Sequence, residues 1–138
     1  MDTKEIRNTV DTRILAYPEI VSTESVDRLL DEKEWFIGML SYIGSRESGV
    51  MFSKVMAEDK FDVEKYTKYK EYRADGKSDK ESDYNSRLDA AGAKLEWEML
   101  IIEHKILYGV RERVIKQIDA ISQRVSVLRK EMNQQNMT

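Results

Sequence analysis

Three tyrosines spaced three residues apart, Tyr66, Tyr69 and Tyr72, sit in KYTKYKEYRADGK with Lys65, Lys68, Lys70, Arg73 and Lys77 threaded among them. Positions i, i+3 and i+6 drift slowly around an α-helix, so the rings share one side of it. Phenol rings beside cations are the parts of a single-stranded nucleic-acid platform. Bases stack on the rings, worth ~1–3 kcal/mol each whatever the sequence, while ammonium and guanidinium groups meet phosphates. The same pattern also describes an amphipathic helix edge with buried ring bodies and wet hydroxyls. Residues 65–77 hold five cations and two acids, so the local potential is positive in a chain whose net charge is −3.

A second basic strip runs along the C-terminal third through Lys105, Arg111, Arg113, Lys116, Arg124, Arg129 and Lys130. It reads either as a solvated face or as a phosphate-tracking one. The two halves of the chain differ in sign: residues 1–64 carry 8 Lys+Arg and 14 Asp+Glu, residues 65–138 carry 15 and 12. Such asymmetry directs polyanions to one part of a surface and away from another.

Catalytic and metal chemistry is thinly represented. His104 is the single histidine and there is no cysteine, which removes disulfides, thiolate sites and Glu-x-x-His di-iron pairs. GKSD at 76–79 ends like a phosphate-binding loop, but Glu71 stands where that loop needs its first glycine. The acids Asp75, Asp79, Glu81 and Asp83 lack EF-hand spacing and are expected in a hydrated loop. No enzymatic activity, cofactor or metal is expected.

The elements that position these groups are helical. Of 138 residues, 36% are charged and 41% hydrophobic, with one proline and six glycines, the balance of an all-α chain. From Leu88 to Met132, apolar or small residues recur at steps of three and four, predicting a helix of ~65 Å. From Val114 the steps alternate four and three, and Val114, Ile118, Ile121, Val125 and Leu128 form a seam suited to another long helix, another copy of the chain, or both, which makes them the candidate oligomer interface. A second apolar face runs from about Thr23 to Ile43, with Ser22, Thr23 and Ser25 as cap candidates. GSRESG at 44–49 reads as a loop or a weak stretch within one helix. Asp75-Gly76 is a C-cap and turn candidate.

The expected fold is one domain over residues 1–138, an antiparallel hairpin of helices at about 23–73 and 84–132 joined by a loop at 74–83. A short N-terminal helix or arm over 1–20, cut by Pro18, precedes it, and a frayed tail follows from 133. No run approaches the ~18 apolar residues of a membrane span, nor is there a secretory leader, so a cytoplasmic location is expected.

These features together resemble the UvsY-type recombination mediators of tailed phages and related small helical phage proteins. The resemblance rests on K-Y-T-K-Y-K-E-Y-R-A-D-G-K and on R-E-R-V-I-K-Q-I-D-A-I, where Arg111, Ile115, Lys116 and Ile118 fit an R-x-x-x-I-K-x-I pattern. It covers roughly residues 60–125; an aromatic residue expected near Val114 is absent, and the N-terminal half is acidic. The resemblance implies a homo-oligomer without enzymatic activity that binds single-stranded DNA. Such a protein helps load a RecA-like recombinase onto strands covered by single-strand-binding protein, in the host cytoplasm. Lys65, Lys68, Tyr69, Lys70, Tyr72, Arg73, Lys77, Arg111, Arg113 and Lys116 are then the DNA-binding candidates. The rival expectation is a helical adaptor, scaffold or phage-encoded inhibitor that holds a protein instead.

Overall fold

The computed structural model describes residues 1–22 and 25–136, with side chains left undescribed at 20–22. The chain is all-α. Among the described residues four helices follow one another: α1 (Thr3–Ser22), α2 (Val26–Ala74), α3 (Asp79–Asp89) and α4 (Ala91–Asn136). Each start has a local cause. Asp2 and Glu5 cap α1 reciprocally, the Glu5 amide donating to Asp2 Oδ1 at 2.8 Å and the Asp2 amide to Glu5 Oε2 at 3.2 Å. Ser25 caps α2 by accepting from the Arg28 amide; of the other cap candidates, Thr23 and the Ser22 side chain lie outside the described residues.

Glycine ends α2. Gly76 has φ +86°, and its amide bonds Arg73 O while the Lys77 amide bonds Tyr72 O. This pair of bonds is the Schellman closure that a left-handed residue permits. Ser78 then opens α3, accepting from the Glu81 amide. Asp79, Glu81 and Asp83 are therefore helical rather than in a loop, and the break expected at 74–83 is only a few residues long. Three further boundaries shift. The single helix expected over about 84–132 is interrupted at Ala90, the cap that closes α3, so 84–89 belong to α3 and α4 begins at Ala91. Pro18 lies inside α1 without ending it, and α4 continues to Asn136, past the expected tail at 133. GSRESG is helical throughout, within α2.

The chain forms two compact units. One comprises Met1–Glu47 with Ile106–Thr138, the other Ser48–Lys105, so GSRESG carries the first boundary.

The first unit packs α1, the N-terminal part of α2 and the C-terminal part of α4. Its core holds Ile6, Val10, Leu29, Phe36, Ile43, Leu107, Val110, Val114, Ile121 and Val125. Of the two neighbours open to the Val114–Leu128 seam, another helix or another copy, helices of the same chain cover most of it. Val114, Ile121 and Val125 are buried, and Ile118 and Leu128 are half-buried. The long segment does need neighbouring helices, as its periodicity demands, and α1 and α2 supply them.

Ion pairs tie these three segments pairwise: Arg13 to Glu32, Arg111 to Glu47 and Arg113 to Asp11. The first is bidentate at 2.7 and 2.9 Å, with Glu32 only 5% exposed and the Arg13 guanidinium over Trp35. Removing the arginine leaves a buried carboxylate without its partner. Arg13→Ala is expected to cost about 3 kcal/mol, measured by urea unfolding followed at the tryptophans. A loss below about 0.5 kcal/mol, that of an ordinary surface change, would show the pair to be incidental.

The second unit has a different interior. Its buried residues are small: Ala57, Ala90, Ala93, Ser82 and Ser86, with Val50. Small side chains let α3 and the start of α4 lie close against α2. Phe61 and Trp97 add a stacked ring pair, 6.0 Å between centroids and 21° between planes. Lys60 meets Glu96 and Tyr72 meets Asp89, so later residues of α2 face earlier ones after the turn. That is the antiparallel sense of the expected hairpin.

Candidate functional site

The second unit brings most of the tyrosine–lysine stretch together, but not as a free row of rings. Tyr69 donates its hydroxyl to Asp79 Oδ1 in the first turn of α3. Tyr72 donates to Asp89 Oδ2, at the last residue of α3, at 2.5 Å. The two phenols thus strap both ends of α3 to α2. Both are held above the ordinary tyrosine range, chiefly by the hydrogen bond each hydroxyl donates to its carboxylate, then by desolvation and by the carboxylate's repulsion of a phenolate.

The sign of the pH dependence follows. A raised phenol contributes its full stability below the unfolded tyrosine value, ~10, and loses it as pH climbs through the higher folded value. Absorbance titration at alkaline pH is expected to show two tyrosines ionising later than the rest, and Tyr69→Phe and Tyr72→Phe to remove one late ionisation each. A titration in which all seven ionise together would refute the straps.

The cations of the stretch are variously engaged. Lys65 sits 5.1 Å over the Phe61 ring and Lys70 4.4 Å over Tyr66. Lys68 pairs with Glu71 one turn away. Arg73 donates to the Lys77 carbonyl, reinforcing the turn, and Lys77 is exposed. In the first unit, Arg111 and Arg113 belong to the ion pairs that tie α4 to α2 and α1, and Lys116 is exposed on α4. Two of the three predicted α4 cations therefore serve the fold of that unit.

A concave feature of the second unit lies where α2, α3 and α4 meet. It is an open groove of about 780 Å³. Lys65, Arg87 and Lys94 bring three cations to it, against one carboxylate, Glu98. Its walls are aromatic and apolar: Phe61, Trp97 and Tyr84, then Leu88, Ala91 and Leu95. Tyr84 is 65% exposed.

Two of the cations have partners that yield easily. Arg87 pairs with Asp83 at 3.2 Å and Lys94 with Glu98 at 3.9 Å, each across one helical turn and about half or more exposed. Such pairs are worth ~0–1 kcal/mol, so a phosphate can replace the carboxylate at little cost.

Of the predicted residues only Lys65 lines this groove. Linear spacing does not single out Tyr84, Arg87, Lys94 and Trp97. Their sequence signal is the S-x-x-E cap at Ser78–Glu81, which marks 79–89 as a helix and places Tyr84 and Arg87 on it three residues apart.

His104 is half-buried on α4, and among the described residues no cluster of three or more His, Cys, Asp or Glu could hold a metal ion. No helix among them is long and apolar enough to cross a membrane. No protein-family model, curated protein or solved structure matches this chain.

Proposed function

We propose that the chain is a non-enzymatic helical protein that binds single-stranded nucleic acid in the α2–α3–α4 groove. One observation carries this reading: Lys65, Arg87 and Lys94 share a cleft with the exposed Tyr84 ring and the Phe61–Trp97 stack. Unpaired bases present a π-face to the rings while the backbone runs past the cations, a combination tolerant of sequence. A duplex, whose bases are already stacked, gains only the electrostatic part.

The resemblance of residues 60–125 to UvsY-type mediators extends the reading to DNA recombination: a mediator that helps a RecA-like recombinase onto single strands covered by a binding protein. The sites move with the geometry. The groove replaces the paired Arg111 and Arg113 as the centre of contact, with Lys70 and Lys77 on the adjoining end of α2 and its turn.

The test is fluorescence anisotropy of a labelled single-stranded oligonucleotide. Binding at micromolar protein or better is expected at 50 mM salt, with log Kd rising against log salt by a slope of about 2, for three phosphate contacts on a single strand. No binding at that salt would remove the proposal.

An adaptor that holds another protein is favoured by a separate observation: the second unit exposes Phe52, Met56, Val63, Met99 and Ile102. These side chains form no part of the groove.

A further inference from the structure

One exposed apolar row in the second unit has an acid at its centre. Phe52, Met56, Asp59, Val63 and Tyr66 follow one another along α2 at steps of four and three, with Met51, Val55 and Asp62 beside them. The apolar members range from 48% exposed at Met51 to 69% at Phe52. The interior lies on the other side of the helix. Counted at 100° per residue, the buried Val50 and Ala57 fall about 160° from Phe52 and Asp59.

Steps of four and three mark the side of a helix along which another helix lies. Methionines suit such a surface because their side chains adapt to irregular partners. Proteins rarely leave an apolar row of this length in water. From Met51 to Tyr66 it runs about 22 Å, room for a partner helix of four turns.

Asp59 decides what that helix must be. Apolar residues stand a turn away on both sides of it, so whatever covers the row takes its carboxylate out of water. A buried carboxylate without a cation is costly, and no cation of this stretch serves it. Lys60 pairs with Glu96 and Lys65 sits over Phe61. Lys54 lies about 140° round the helix from Asp59. Lys70 closes the far end of the row, over the Tyr66 ring, about three turns on. Two more acids adjoin: Asp62 is one turn from both Glu58 and Asp59, a spacing at which like charges repel. All three are exposed, and none enters an ion pair with a described residue.

We infer that this face of α2 docks a cationic amphipathic helix of another protein. The apolar stripe of that helix carries a lysine or arginine opposite Asp59, with further cations beside it for Asp62 and Glu58. A helix laid along an apolar face, selected by complementary charge, is a common mode of recognition. The inference rests on the adaptor reading and gives its partner a chemistry. The acids turn away phosphates and anionic lipid. A second copy does not fit through its exposed α4 row either, since Leu95, Met99 and Ile102 hold no cation among them to meet Asp59.

Two labelled peptides of about 16 residues test it by anisotropy at 50 mM salt. One is a leucine–lysine helix with a lysine inside its leucine stripe; the other has glutamate at every lysine. The lysine peptide is expected to bind at micromolar concentration and the glutamate peptide not at all. Asp59→Lys is expected to weaken the lysine peptide about thirtyfold or more, the loss when one member of a desolvated charge pair is removed. Glu34→Lys, an equal change of net charge at an exposed site in the first unit, is expected to leave it unchanged. Circular dichroism checks the fold, and if Asp59→Lys does not fold, Asp59→Asn is expected to weaken binding in its place.

Equal weakening by Glu34→Lys would reduce the contact to adsorption on an acidic protein and overturn the inference. So would self-assembly of the chain that Phe52→Ser dissolves, which gives the row to a second copy. A glutamate peptide that binds, and is lost in Phe52→Ser, overturns the cationic partner and leaves the adaptor reading standing. No binding by either peptide removes the inference and, with it, the support this face lends to an adaptor.

Discussion

Val114→Asp is expected to unfold the first unit at any protein concentration. Val114 has no exposed surface within the single chain, and its neighbours in the core are the aliphatic and aromatic residues of α1, α2 and α4. An aspartate there must bury an unpaired carboxylate, at a cost of several kcal/mol, a large share of the ~5–15 kcal/mol that holds a domain together. Ile121→Ala, a milder change at an equally buried site, is expected to cost about 3 kcal/mol through lost transfer energy and a cavity.

These variants separate core from contact surface. Were the Val114–Leu128 seam a meeting place between copies, Val114→Asp would dissociate the protein and leave its helices intact. The buried geometry predicts lost helicity in dilute and concentrated samples alike, read by circular dichroism together with urea unfolding.

The second large effect belongs to the groove. The double variant Arg87→Glu, Lys94→Glu is expected to weaken oligonucleotide binding about a hundredfold at low salt. Each reversal exchanges an attraction of ~1 kcal/mol for a repulsion of similar size at water-like dielectric, and the two together, reduced by salt screening, come to about the ~2.8 kcal/mol that a hundredfold change represents. Both residues are exposed on their helices, so the fold is expected to survive.

The control is Arg111→Ala, which breaks an ion pair within the first unit. It is expected to lower stability and leave binding nearly unchanged. If Arg111→Ala abolished binding in a folded protein while the groove variant bound normally, the contact surface would be the α4 strip instead.

Much of the fold is legible in the sequence because its cues are local. A periodicity held from Leu88 to Met132 predicts most of α4, although it does not mark the break at Ala90 that leaves Leu88 in α3; Ser25 marks the start of α2 and Gly76 its end, each by a mechanism acting within a few residues. Helix α3 is hidden by its acids. Asp79, Glu81 and Asp83 look like loop composition, but at a helix N-terminus they suit the dipole, and Ser78 supplies the cap.

Which apolar stripe is the core is harder to read. Spacing alone cannot distinguish a face turned inward from one turned to a neighbour. In the second unit the inward face is built of Ala90, Ala93, Ser82 and Ser86, while Leu95, Met99 and Ile102 point out. Small residues carry little hydrophobic signal, although they are what permits close helix approach.

The tyrosines are not free platforms for a related reason. A hydroxyl's partner ten or seventeen residues away, Asp79 or Asp89, leaves no periodic trace. Arg87 and Lys94 are seven residues apart, a spacing that puts both on one face of the helix expected over 84–132, but each has an acid one turn away, Asp83 and Glu98, so they read as an ordinary solvated face.

Trp97 offers the most direct measurement. It stands in the groove wall beside Phe61, and the only other tryptophan, Trp35, lies in the first unit. In a Trp35→Phe background, fluorescence titrated with oligothymidylate at 50 mM salt is predicted to be quenched to saturation as bases enter the cleft, and restored by added salt. Emission unchanged through the titration, with the protein folded, would contradict nucleic-acid binding at this site.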